Sequence, residues 1–183
     1  MLQTQNLPPN EEKPMATYYP SITDDQAALI RNAPLFFVAS ADPALAPGPE
    51  GIGPINLSPK GGVPLHVIDP NRVAFLDYLG SGNETARHAI AGGPITVMVC
   101  SFEGEDAGII RLYGKATATP LEESPHAALL LQTESEHLRT KRQVIEVEVE
   151  LTGTSCGYGV PVMELVRERR AKDRGRRYKD RKK

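Results

Sequence analysis

From Asp77 to His88 the chain reads Asp-Tyr-Leu-Gly-Ser-Gly-Asn-Glu-Thr-Ala-Arg-His, an order of small, hydroxyl-bearing and cationic side chains suited to holding an anion. The run before it, Arg72 to Leu76, is hydrophobic and reads as a buried strand. Two glycines in three residues then turn the chain, and a helix carrying Arg87 and His88 follows. Free backbone N–H groups and the positive end of a helix dipole face such a loop. The chemistry expected is a grip on phosphate, the anionic end of a cofactor.

A second polar set lies upstream. Between Ile55 and Lys60, the residues Asn56, Ser58 and Lys60 recur at every second position. In an extended chain they share one face, because side chains alternate at period two. Two readings follow from that row of amide, hydroxyl and ammonium. It is a half-exposed edge strand with its polar face in water, or a set of hydrogen-bonding groups for a polar heterocycle or a phosphate.

Other chemistries find little support. Gly80-Ser81-Gly82 lacks the spacing and the Lys-Ser/Thr ending of a P-loop, and lacks the third glycine of a dinucleotide fingerprint. His66, His88, His126 and His137 show no metal spacing and the two cysteines are far apart, so no metal is expected. There is no Gly-x-Ser-x-Gly elbow. Cys100 sits in an apolar run and reads as a core residue, whereas Cys156, beside Ser155 and Gly157, reads as more accessible. No nucleophile or acid–base pair stands out, which is the pattern of a protein that leaves hard chemistry to a cofactor.

Composition frames these residues. The 183 residues suit one domain, hydrophobic residues are 40% and aromatics 5%, and two cysteines make no disulfide framework. No apolar run is long enough for a membrane span, and the start lacks the pattern of a secretory signal, so a cytoplasmic location is expected. The net charge of −2 hides a split: Arg167 to Lys183 holds eleven basic against three acidic residues. That tail reads as a solvated helix or frayed end. Tyr178 is its one aromatic, so nucleic-acid binding is not expected.

The elements that must position the polar residues can be taken in order. Residues 1–20 read as an N-terminal arm, loose at least to Thr17. Thr23 is a good N-cap for a helix that ends before Pro34. Strands are expected at Leu35 to Ala39, Ile55 to Lys60, Pro64 to Ile68, Arg72 to Asp77, Ile95 to Phe102 and Ile109 to Ala118. Asp42 to Pro54 reads as a loop. A helix is expected at Ser124 to Glu136, around Leu129 to Leu131. Gln143 to Leu151 alternates apolar residues with Glu146, Glu148 and Glu150, the signature of a strand with one wet face. Ser155 to Pro161 reads as a turn, and Val162 onward as a helix running into the tail. The tally is six or seven strands in hairpin-like succession, without a strand–helix–strand rhythm, which favours a small antiparallel barrel.

Four motifs occur in order: Asn56-Leu-Ser-Pro-Lys-Gly61, Leu76-Asp77-Tyr78 leading into Gly80-Ser-Gly-Asn-Glu-Thr85, Arg111-Leu-Tyr-Gly114, and Ser155-Cys-Gly-Tyr-Gly-Val-Pro161. Together they resemble the pyridoxamine 5′-phosphate oxidase-related, FMN-binding split-barrel family, in the branch with the Gly-Ser-Gly-Asn-Glu-Thr loop. The resemblance covers roughly Pro20 to Tyr178. It implies a mainly β (α+β) fold, a six-stranded antiparallel split β-barrel with short flanking helices, over residues 21–166, followed by a basic tail at 167–183. It also implies a homodimer with FMN at the interface. Carried over residue by residue, it makes Asn56, Ser58 and Lys60 contacts to the flavin ring, ribityl or phosphate. Ser81, Gly82, Asn83, Thr85 and Arg87 become the phosphate grip, with His88 a weaker member because adjacent helical residues diverge by about 100°. Arg111 lies near the flavin or across the dimer, or in a structural ion pair.

Two departures limit the resemblance. The branch's Ser-Ile-Asp-Gly-Leu-Pro-like ending has no counterpart up to Lys183, and the substrate-phosphate residues of the true pyridoxamine phosphate oxidases are not seen. Vitamin B6 oxidation is therefore not assigned. The expectation is an FMN-dependent oxidoreductase with an unidentified small-molecule substrate. The alternative is a non-catalytic binder or sensor of flavin, deazaflavin or haem on the same barrel.

Overall fold

Among the described residues, eight strands join edge to edge in one antiparallel sheet: β1 (Ala16–Tyr19), β2 (Leu35–Ala41), β3 (Ile55–Gly61), β4 (His66–Asp69), β5 (Arg72–Tyr78), β6 (Pro94–Cys100), β7 (Gly108–Pro120) and β8 (Arg142–Cys156). Three short α-helices accompany them among the described residues: α1 (Asp24–Asn32), α2 (Glu84–Ile90) and α3 (Ala127–Leu131). The computed structural model describes residues 15–78, 83–132 and 142–169. The expectations for Ser81, Gly82, His137, residues 1–14, the end of the helix predicted to reach Glu136, and the tail at 170–183 lie outside the described residues.

The sheet order is β3-β2-β6-β7-β8-β5-β4, with β1 added alongside β8. Long β8 is its spine. It pairs with β7 throughout, with β5 along Arg142 to Glu148, and with β1 along Thr152 to Ser155. The sheet curls until its ends meet. Phe36 on β2 and Phe75 on β5 stack edge to face at 5.1 Å although three strands lie between them. Val38, Val97, Val99, Ile110, Leu112, Val73, Ile145 and Val147 are buried with them, and this cluster is the core.

One bulge decides which side chains point inward at the far end of β8. Tyr113 faces Leu151 but Gly114 faces Val149, so Glu150 is an extra residue. Beyond it the alternation is out of phase: Thr152 is fully buried and Leu151 is 40% exposed. Gly114 is required there, since a Cβ would collide with the Glu148 carbonyl.

The fold class and the mainly antiparallel barrel are as expected, with eight strands in place of six or seven. The additional strand is β1, inside the segment read as an arm; residues with their own backbone partners on β8 are part of the sheet. α1 is as expected, with a capping box between Thr23 and Gln26 and an end at Asn32. Two readings are corrected. Ser155 and Cys156 belong to β8, because Gly108 and Ile109 offer them partners. Residues 161–169 are not helical; this segment is held by Met163 N–H donating to the Phe102 carbonyl.

Candidate functional site

β3 is an edge strand of the sheet order, and its alternation is inverted relative to the water-facing reading. Ile55 and Leu57 are 68% and 70% exposed, whereas Asn56, Ser58 and Lys60 are half-buried. Register explains this. Asn56, Ser58 and Lys60 lie opposite Ser40, Val38 and Phe36, all of them buried. The polar row therefore continues the inner face of the barrel.

Each end of the row is tied to another element. Lys60 Nζ is 2.5 Å from Asp77 Oδ1 on β5 and 5.9 Å from the Phe75 ring centre. The other Asp77 oxygen accepts from Gln143 Nε2 at 3.3 Å, and the same nitrogen donates to Asn83 Oδ1 at 2.7 Å. Gln143 thus clasps the two residues that flank 78–82. At the opposite end Asn56 Nδ2 donates to Thr85 Oγ1 at 3.1 Å. Between these ties, Ser58 Oγ is buried and has no hydrogen-bond partner among the described residues.

α2 is shorter and less open to an anion than the sequence pattern implies. It has seven residues, and Glu84 puts a negative charge in its first turn. Asn83 begins it in the left-handed region at φ 47°, with its side-chain oxygen turned to Gln143 and not to the helix. Thr85 is buried. Arg87 and His88 diverge as adjacent helical residues must. The Arg87 guanidinium lies against Gly48, where a Cβ would collide with it. His88 points inward, its Nδ1 2.9 Å from Ser40 Oγ and its Nε2 2.9 Å from the Gly53 carbonyl oxygen. A carbonyl only accepts, so Nε2 carries a proton and donates. In this geometry His88 ties α2 to the loop at 42–54. Asp42 braces that loop by accepting from Ala44 N–H and Ala46 N–H, which hold its carboxyl below the usual range.

Arg111 faces the other way. Its cross-strand neighbours are Met98 and Gly153, one position out of phase with inward Leu112, and its Nη1 donates to Ser155 Oγ at 3.0 Å. The structure thus gathers Asn56, Ser58, Lys60, Asn83 and Thr85 at one end of the barrel interior. It sets Arg111 on the outer face.

Two members of the network had no role in the sequence reading, Asp77 and Gln143. A signal existed for Gln143: at period two it shares a face with Ile145 and Val147. Elsewhere, burial raises the Cys100 thiol, and Cys156 is exposed. Among the described residues no group of three or more His, Cys, Asp or Glu side chains converges as for a metal, and no helix is long and apolar enough to cross a membrane.

The β3 row fits the edge of a heteroatom-bearing ring on one observation: an unpartnered buried hydroxyl, Ser58 Oγ, next to an ammonium whose side chain is 17% exposed. The phosphate end is not matched as directly. Asn83 and Thr85 already bond to Gln143 and Asn56, and Ser81 and Gly82 are not described.

No family model matches the chain. It is 34% identical over 154 residues to the pyridoxamine 5′-phosphate oxidase family protein ustO of Aspergillus flavus, covering 82% of this chain and 58% of that one. The chain therefore spans less than two thirds of this relative's length. Among solved structures it resembles a candidate pyridoxamine 5′-phosphate oxidase from Lactobacillus delbrueckii, at 18% identity and a TM-score of 0.52, covering 73% of this chain and 94% of that one. HupZ of Group A Streptococcus is similar at 21% identity and a TM-score of 0.52, covering 71% and 91%. At these identities the two structures speak to fold alone. Barrel topology and the fungal relative agree: the chain resembles the pyridoxamine 5′-phosphate oxidase-related split-barrel family, in fold and, over 154 residues, in sequence.

Proposed function

We propose that this protein binds FMN and passes electrons or a hydride through it to a small-molecule substrate, as an oxidoreductase. The observation that carries the reading is the inward row Asn56, Ser58, Lys60, with one buried hydroxyl left for a ligand to engage. The likeness to the fungal relative supports it, since that protein carries the name of an oxidase family. The bound flavin supplies the redox chemistry. The residues of this chain orient it: Ser58 and Lys60 toward ring heteroatoms, Asn56 and Thr85 in fixing β3 against α2.

A homodimer with the cofactor at its interface belongs to the same proposal. Ile55 and Leu57 expose apolar surface on an edge strand, a liability that a second copy would remove. It would also give Arg111, which faces away from the β3 row, a ligand contributed across the interface.

The test is the visible absorption spectrum of purified protein before and after FMN is added. A flavin spectrum perturbed by the protein, bleached on adding a reduced nicotinamide cofactor, is expected. Protein that stays colourless and leaves the FMN spectrum unaltered sinks the flavin reading, and titration with a deazaflavin or haemin then tests the alternatives. Flavin that binds but accepts no electrons reduces the protein to a carrier or sensor.

A further inference from the structure

We propose that Asp77 is a positioning residue that masks the charge of Lys60, so that the Ser58–Lys60 end of β3 receives the neutral ring of the ligand and not its phosphate. The inference rests on the flavin reading and goes beyond it by giving Asp77 a role in what that end of β3 accepts.

The argument is electrostatic. Lys60 and Asp77 have side chains only 17% and 6% exposed, and their charges meet at 2.5 Å. Solvent screens such a pair poorly, so the pair presents almost no net charge to a third group. An anion that drew Lys60 away would leave the Asp77 carboxylate buried without its cation, a costly arrangement. Asp77 is not free to follow, because Gln143 holds its second oxygen while also holding Asn83. What remains for a ligand at this end is the unpartnered Ser58 hydroxyl and the N–H groups of a compensated ammonium. Those groups suit uncharged carbonyl and ring-nitrogen atoms.

Reduction of the ring by two electrons and one proton leaves it anionic, and here the mask matters. Asp77→Asn keeps the shape and unmasks Lys60. Affinities of wild type, Asp77→Asn and Lys60→Gln for FMN and for riboflavin, which has no phosphate, are measured by quenching of flavin fluorescence. Midpoint potentials are measured by dithionite titration against a reference dye. Asp77→Asn is expected to favour reduced over oxidised flavin about tenfold, a rise of about 30 mV for a two-electron couple. Lys60→Gln, which keeps the test available if Asp77→Asn does not fold, is expected to lower the potential and to weaken FMN and riboflavin equally.

A Lys60→Gln protein that loses affinity for FMN but not for riboflavin overturns the inference, because Lys60 then meets the phosphate with Asp77 in place. So does an Asp77→Asn potential that does not move. If neither wild type nor variants bind FMN, the flavin reading falls and the inference falls with it.

Discussion

Lys60 and Asp77 form an ion pair across the barrel, although four strands separate β3 from β5 along the sheet. The pair joins an edge strand to the far side of the sheet. Lys60→Met is expected to destabilise the protein by about 2–3 kcal/mol, because it leaves a buried carboxylate unpaired. The double variant Lys60→Met/Asp77→Leu is expected to recover much of that loss, as apolar replacements of buried pairs often do. Urea denaturation of the three proteins is the check. A single variant as stable as wild type would show that the pair does not hold the barrel together.

The bulge at Glu150 makes its own prediction. Gly114→Ala places a methyl on the Glu148 carbonyl with backbone on both sides, so the strand must shift, and a loss of about 3 kcal/mol or failure to fold is expected. Gly159→Ala meets nothing within 4 Å and is expected to be neutral to within about 0.5 kcal/mol. Thermal unfolding of the two variants side by side separates a local clash from a general intolerance of change.

His66 links stability to pH. Burial lowers its pKa from 6.5, and its Nε2 is buried without a partner among the described residues. The unfolded chain therefore takes up the proton first as pH falls through 6.5. Stability declines from there and levels off once pH is below the folded-state value. In His66→Gln this part of the acid-side decline is expected to disappear. Denaturation midpoints between about pH 8 and about pH 5 decide it. Parallel curves for wild type and variant would remove His66 from the account.

Ile55→Lys/Leu57→Lys places two charges on the exposed face of β3 and leaves the inward row untouched. If that face meets a second copy, sedimentation is expected to change from dimer to monomer while the fold, followed by circular dichroism, is kept. An assembly state identical to wild type would place any interface elsewhere.

Much of this architecture was legible because period two is a strong signal. It marked Asn56, Ser58 and Lys60 as one face, and it marked β8 from Gln143 onward. It could not say which face of β3 turns inward: that depends on register with Phe36 and Val38, which are distant in sequence. Nor could it see the bulge, so Leu151 was grouped with Val149 although it points out. Val144 lies on the opposite face from Ile145, the face that carries the glutamates, yet it is 1% exposed, so that face of β8 is not wet there. The segment from Asn83 to His88 was legible as a loop and helix, but its bonding was not. Asn83 is bound to Gln143 and His88 to Ser40 and Gly53, partners that only the closed barrel supplies.

The spine strand has a consequence for biosynthesis. β5 ends at Tyr78 but has its main partner in residues 142–148 of β8, and β7 depends on the same strand. On the ribosome, both edges stay unsatisfied until nearly the whole described chain has emerged. Such distant pairings slow folding and leave sticky edges open in the meantime. The nascent chain is thus most vulnerable to aggregation just before β8 emerges, and that strand ends the exposure.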